Sequence, residues 1–334
     1  MFPLTNFWSQ TQKVLEKFNF GKQFIKMMKL FYNGPNFKVK NNGWLSNHCR
    51  MERGIRQGCS LSALLFVIAV EVLAIMIRND KNINGVTIGE TEHQLAQYAD
   101  DTTVFLKDTV SIKELLRIFR TFEKTAGLKL NVDKTKGIWL GKLKDKGLRI
   151  LEGIHFTGNP VKCLGVYVGH NTQKCENKNW NEKLASLKRV IAYWQKMNLS
   201  IFARVKVIKT YLLSKIIFTS SLIPIPEQFL KDFKNMCYEF LWKGKRDKIK
   251  RSTVIAQMQD GGLGMIDIDS FILALRATWV TKLLTQTGNW RDIFNYYTLK
   301  LGIKEPAYMF NMSFKDIKQL DLKGKVPNFY IECC

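Results

Sequence analysis

Tyr98-Ala99-Asp100-Asp101 lies between Gln94-Leu95-Ala96-Gln97-Tyr98 and Thr102-Thr103-Val104-Phe105-Leu106. The first flank partly alternates polar and apolar residues, and the second is β-branched and aromatic, so both read as strands. A turn this tight sets both acids at the tip of a hairpin. Neighbouring carboxylates repel, and each raises the other's pKa unless a cation lies between them. Hard oxygen ligands of this kind suit Mg²⁺, which links a few carboxylates to substrate phosphates. The pair therefore reads as part of a two-metal phosphoryl-transfer site. An Asp-Asp turn that only caps a hairpin is the bland alternative, and for a bare pair it is the better one; the motifs around it decide against it.

Composition narrows the class of partner. The chain has 334 residues and a hydrophobic fraction of 46%, enough for a substantial core divided among two or three domains. Lys and Arg number 52 against 28 acids, a formal charge of +24 that favours a polyanionic partner, nucleic acid being the commonest. Charge alone does not separate nucleic acid from an anionic membrane surface. The seven cysteines show no C-x-x-C spacing and read as reduced thiols of an intracellular protein, in the nucleus or the cytoplasm. Four scattered histidines complete no zinc-ligand pattern. Met1–Gln10 lacks a basic segment followed by an apolar run, so no signal peptide is expected. The final Cys333-Cys334 pair reads as a truncated end in preference to a lipidation signal. Leu61–Ile77 imitates a membrane span, but it falls short of the roughly 20 residues needed and carries Glu71 near its middle. A helix buried on all sides is the expected form, with no membrane partner.

Along the chain, Val14–Tyr32 reads as an amphipathic helix interrupted at Gly21, and Asn41-Asn42-Gly43 as the turn of a hairpin. Val86–Ile88 precedes the Asp-Asp hairpin, Ile112–Ala126 is a helix stopped by Gly127, and short strands follow at Ile138–Leu140 and Cys163–Val168. This order suggests a small antiparallel sheet with helices on one face. Beyond Thr172 strand signals disappear. Helices are expected over Trp180–Met197, from an N-cap at Ser200 to a stop before Pro224, and from Pro226-Glu227 with Phe229, Phe233, Met236 and Phe240 inward. The basic run Lys243, Lys245, Arg246, Lys248, Lys250 and Arg251 is either a solvated loop or a phosphate contact.

Four features stand in order: Gly54-Ile55-Arg56-Gln57-Gly58-Cys59-Ser60 opening an apolar helix, the Asp-Asp turn, Gly127-Leu128-Lys129-Leu130-Asn131 with Lys134-Thr135, and Cys163-Leu164-Gly165-Val166. This set resembles the palm of reverse transcriptases, closest to the LINE-type (non-LTR) retrotransposon polymerases. The likeness continues through Leu213-Ser214-Lys215, Phe240-Leu241-Trp242 and Gly261-Gly262-Leu263-Gly264. It implies an α+β fold: a polymerase palm, with an antiparallel sheet and helices on one face, then an all-helical thumb and a C-terminal helical region. The corresponding domains are 1–172, 173–243 and 244–334. It implies RNA-directed DNA synthesis on an RNA template, with a DNA primer, deoxynucleoside triphosphates and two Mg²⁺ ions. Asp100 and Asp101 would be the catalytic metal ligands; Arg56, Gln57, Gly58 and Lys134 would contact nucleotide or template; Leu164 and Gly165 would grip the primer end.

The resemblance also implies a further aspartate in a Phe-Asp strand ahead of a tryptophan and a helix. Trp8 and the helix from Val14 fit that context, but Phe2-Pro3-Leu4-Thr5 stands where the aspartate belongs. The expectation is a fragment that lacks the fingers and the first catalytic-aspartate strand and polymerises poorly or not at all. Its rivals are a non-catalytic protein that binds RNA or RNA–DNA duplex, and a group II intron maturase-like protein.

Overall fold

A computed structural model describes residues 4–32, 34, 36–50, 58–146, 149–285, 287–303 and 305. They group into two compact units, one within Met1–Gly137 and Ile150–His155, the other within Ile138–Arg149 and Phe156–Cys334.

The first unit begins with helices α1 (Leu4–Lys17) and α2 (Lys22–Tyr32) in place of the single interrupted helix expected over Val14–Tyr32. Asn19 adopts a left-handed conformation (φ 61°), and the Phe20 N–H reaches back 2.9 Å to the Leu15 carbonyl, so α1 ends in a Schellman-type closure before Gly21 is reached. Strands β1 (Asn36–Phe37) and β4 (Cys49–Arg50) pair, as do β2 (Lys40–Asn41) and β3 (Trp44–Leu45) about the expected Asn42-Gly43 turn.

Helix α3 runs Ser60–Asn79, 20 residues, so the argument from insufficient membrane-spanning length does not hold. It is long and apolar enough to cross a membrane by length and composition alone. Nor is it buried on every side: Leu65, Ala69, Leu73 and Ile77 face α1 and helix α4 (Val110–Ala126), while Leu64, Val67 and Ile75 are exposed. The apolar composition hides this division, because a helix apolar all round shows no stripe to read. Glu71, its mid-helix carboxylate, pairs with Arg78 at 2.7 Å.

β5 (Val86–Ile88) and β6 (Thr91–His93) form one ribbon, β7 (Leu95–Tyr98) and β8 (Asp101–Val104) the next. α4 is strongly amphipathic and closes at Gly127 in the left-handed conformation, as expected. Short strands β9 (Lys136–Ile138), β10 (Arg149–Leu151) and β11 (Ile154–Thr157) follow.

In the second unit, β12 (Val161–Cys163) and β13 (Val166–Val168) form a ribbon packed on helix α5 (Thr172–Gln195). A continuous helical path then comprises α6 (Ile201–Val207), one π-helical stretch (Ile208–Leu212) and α7 (Leu213–Leu222). Ser200 caps α6, its hydroxyl accepting from the Ala203 N–H, and Ile223 ends α7 just ahead of Pro224. α8 (Glu227–Leu241) turns Phe229, Phe233 and Phe240 into the core beside Trp180, Leu187, Ile208 and Ile216, with Met236 against its edge. α9 (Arg251–Ile255), α10 (Ile268–Thr285) and α11 (Asn289–Lys300) complete the described helices.

The single antiparallel sheet expected at the front is not what the described residues form. They make five two-stranded ribbons and one three-stranded sheet, with strands of two to four residues. Isolated ribbons are marginal in water, and the two that matter here are braced by helices: β7 by α3, and β13 by α5.

Candidate functional site

The Asp-Asp hairpin is built from underneath. Leu95 and Val104 are directly opposed, and both pack on the core of Leu73, Ile77, Ile118 and Phe122 supplied by α3 and α4. One step toward the tip, Gln97 and Thr102 share that face and are joined by a 3.1 Å side-chain hydrogen bond. The last pair, Tyr98 opposite Asp101, lies on the other face, where both side chains are exposed. Two residues close the turn. Ala99 has φ 52° and Asp100 does not share the left-handed conformation, the pattern of a II′ turn with alanine where glycine is usual.

Asp100 and Asp101 are both exposed. Among the described residues neither carboxylate has an ion pair or a hydrogen-bond partner, so their oxygens are free to ligate. They fit a divalent metal as far as two hard donors can. No group of three or more His, Cys, Asp or Glu side chains able to hold an ion occurs among the described residues.

Other expected site residues fall in three places. Arg56 and Gln57 lie outside the described residues. Gly58 is exposed at the approach to α3 with φ 82°, a conformation for which glycine alone carries no penalty. Beside it, the Cys59 thiol is held below its ordinary pKa, chiefly by the Ser62 backbone N–H. Lys134 sits on a turn shaped by Asn131, whose side-chain oxygen accepts from the Lys134 N–H at 3.1 Å; its ammonium is exposed and has no acid partner among the described residues. These residues belong to the first unit, and no hydrogen bond or ion pair joins Lys134 to the aspartates.

Leu164 and Gly165 belong to the second unit, as the two-residue loop of the β12–β13 hairpin. Both have positive φ (46° and 87°), which makes a I′ turn with leucine at a position that favours Asn or Gly. A methyl group on Gly165 would stand 3.6 Å from the Phe218 ring of α7.

The device that holds this hairpin was not foreseen. Asn179, buried within α5, accepts from the Tyr167 N–H through Oδ1 (2.8 Å) and donates from Nδ2 to the Tyr167 carbonyl (3.0 Å), as a neighbouring strand would. Glu182, one turn on, accepts from the Tyr167 hydroxyl and from Lys162 Nζ at 2.8 Å. The Lys162 bond first, and the tyrosine second, hold the Glu182 carboxyl below its ordinary range. Lys178 stands 4.3 Å above the Tyr167 ring. One signal was available: Asn177-Lys178-Asn179-Trp180-Asn181 crowds asparagines, poor helix formers, around a core tryptophan.

The basic run emerges as an exposed segment between α8 and α9. Arg251 is drawn back to Asp247 at 2.9 Å and onto the Tyr238 ring. Lys243, Lys245, Arg246, Lys248 and Lys250 are exposed and have no acid partner among the described residues. Gly262 has a structural reason instead: a Cβ there would meet the Ala256 carbonyl oxygen at 2.0 Å, so the Gly-Gly-Leu-Gly segment is a point of backbone contact under Leu263 and Met265.

One strained two-residue turn thus presents two adjacent acids on a unit of mixed helices and strands. Residues 8–168 match the family described as reverse transcriptase (RNA-dependent DNA polymerase). Over 275 residues, 81% of the chain, it is 25% identical to the transposon TX1 uncharacterized 149 kDa protein of Xenopus laevis. Over 113 residues, 34% of the chain, it is 30% identical to the retrovirus-related Pol polyprotein from the type-2 retrotransposable element R2DM of Drosophila melanogaster. The matched region spans 21% of the first relative and 10% of the second. The LINE-type reverse transcriptase resemblance read from the sequence is borne out.

Proposed function

We propose that this chain carries the palm and thumb parts of an RNA-directed DNA polymerase, acting on an RNA template, a DNA primer and deoxynucleoside triphosphates. The observation that carries the reading is the β7–β8 turn, which presents Asp100 and Asp101 exposed and unpartnered within the region that matches the reverse transcriptase family. Asp100 and Asp101 would hold divalent metal, Mg²⁺ by donor type, which when bound supplies charge stabilisation for phosphoryl transfer. The protein's own part is positional. The hairpin fixes two negative charges where primer end and nucleotide meet. Gly58 lets backbone approach without a side chain, and Lys134 offers an uncommitted cation to a triphosphate. The β12–β13 turn would seat the primer end, and the helices from α5 onward would follow the duplex by its backbone.

Two carboxylates do not complete a bridged two-metal set. The 334 residues alone are therefore expected to bind duplex but extend a primer weakly, since dismantled catalytic sets lose orders of magnitude in rate. The test is primer extension on an RNA template with Mg²⁺, run beside duplex binding, for the wild type and Asp100→Asn. Equal binding by both with extension near background is the expected result. Robust extension by the wild type, abolished in Asp100→Asn, would establish the polymerase and overturn the impairment. Absence of any duplex binding would overturn the reading as a whole.

A further inference from the structure

The second unit contains a cleft of about 430 Å³ where the ends of α5 and α8 meet, lined by Gln195, Lys196, Asn198, Arg204, Lys243 and Gly244 among others. Its volume lies within the ~300–1,000 Å³ usual for ligand clefts. The lining carries three cations and no acid.

Arg204 is the unusual member. It is 3% exposed, and no carboxylate pairs with it among the described residues. Nη1 donates to the Phe240 carbonyl at 2.7 Å and Nε to the Leu199 carbonyl at 3.3 Å, while Nη2 has no acceptor among the described residues. Burial alone lowers its pKa; no neighbouring charge offsets that cost. Buried charges are ordinarily paired. The simplest structural account makes Arg204 a cap for the last turn of α8, with Lys196 and Lys243 as cations at helix C-termini. That account explains the Phe240 contact. It leaves unexplained why an unneutralised guanidinium borders an open cleft whose other charges are also positive.

A planar fork with free donors matches the oxygens of a phosphate, and lysines at the rim add charge without demanding geometry. We propose that this cleft is a phosphate-binding notch that seats the sugar–phosphate backbone of a bound polynucleotide, with Arg204 bordering it and Lys196 and Lys243 at its rim. The polynucleotide as occupant rests on the reading under Proposed function; the anion site rests on Arg204 and the cleft.

Arg204 also supports α8, so the test falls on the rim. An RNA–DNA duplex is titrated by fluorescence anisotropy between about 50 and 200 mM salt, where each phosphate contact contributes a log–log slope of about 0.9, roughly threefold in affinity. Wild type is compared with Lys196→Gln/Lys243→Gln and with Lys188→Gln, an exposed α5 lysine outside the lining residues. The double variant should flatten the slope by about 2 with melting temperature unchanged, and Lys188→Gln by much less. An unchanged slope in the double variant, or an equal effect per charge from Lys188→Gln, overturns the notch. Inorganic phosphate that raises the melting temperature of the wild type but not of the double variant, with duplex slopes equal, reassigns the cleft to small anions and overturns the polynucleotide. A wild type that binds no duplex instead overturns the functional reading and the occupant with it.

Discussion

Replacing Asn179 by alanine tests the brace under the β12–β13 turn. The amide is 3% exposed and makes both hydrogen bonds of a strand partner to one residue, Tyr167, at 2.8 and 3.0 Å. Alanine leaves one backbone donor and one acceptor unpaired, each costing about 1–3 kcal/mol where water is excluded. Tyr167 lies in a two-stranded ribbon whose edge water can partly reach, so the lower half of that range applies. The expected loss is about 2–4 kcal/mol in urea unfolding, with the m-value unchanged. Asn179→Asp keeps the acceptor for the Tyr167 N–H but sets a carboxylate against the Tyr167 carbonyl; it should cost at least as much. Amide exchange adds a local readout: the Tyr167 N–H should lose protection in both variants before the α8 core does. A loss below about 0.5 kcal/mol, the size of an ordinary surface change, or unchanged exchange at Tyr167 would refute the reasoning.

Three further outcomes follow from the same geometry. Ala99→Gly removes a left-handed alanine (φ 52°) and should stabilise the first unit by up to about 1 kcal/mol in thermal unfolding. No gain there means that the turn is not strained. Gly262→Ala sets a methyl against a carbonyl oxygen at 2.0 Å and should destabilise by about 2–3 kcal/mol in denaturant unfolding, with duplex binding at low temperature retained. Glu182 has a lowered pKa in the folded state, so its stabilising contribution is present above its unfolded value of about 4.5 and is lost as pH falls through the folded one. Lys162, raised by the same bond, contributes below 10.5 and loses its share as pH rises through its folded value. Hairpin exchange protection should thus be flat in between and fall on acidification, and Glu182→Gln should remove the acid limb.

The parts of the fold that were legible are those set by local chemistry. Gly127 ended α4, Ser200 capped α6, Pro226-Glu227 opened α8, and the Asp-Asp turn closed where strand propensities on both flanks required. α5 was expected from Trp180 because its apolar spacing begins there, yet it starts at Thr172, under an Asn171 cap that accepts from Lys174 N–H at 2.9 Å. The cap was in the sequence, but its helix turns a polar face outward for two turns, and periodicity is silent about such residues. Of the site, the acids and the hairpin loops were readable as motifs. Asn179, Glu182 and Arg204 were not, because each acts on another element through a contact that no local pattern marks: Asn179 and Glu182 reach back twelve and fifteen residues to Tyr167, and Arg204 reaches the carbonyl of Phe240, thirty-six residues on.

The two hairpins assigned to chemistry share one construction. Each is a ribbon of three or four residue pairs, closed by a two-residue loop that holds a non-glycine residue at positive φ, Ala99 in one and Leu164 in the other. Such residues cost of order 1–2 kcal/mol and persist only where their surroundings over-determine them. The surroundings here are specific: Leu95 and Val104 on the α3–α4 core under the first, and Asn179 bonded to Tyr167 under the second. A ribbon selected only for stability would place asparagine or glycine in these loops. Position is the property the two share, since Asp100 and Leu164 each stand exposed at the tip of a braced arm. If that is the function of the brace, loosening Asn179 should change how a primer end is seated more than how tightly the helical unit holds duplex. In an extension-competent polymerase the signature is a raised primer KM at nearly constant duplex affinity, and equal losses in both would return Asn179 to a purely structural role.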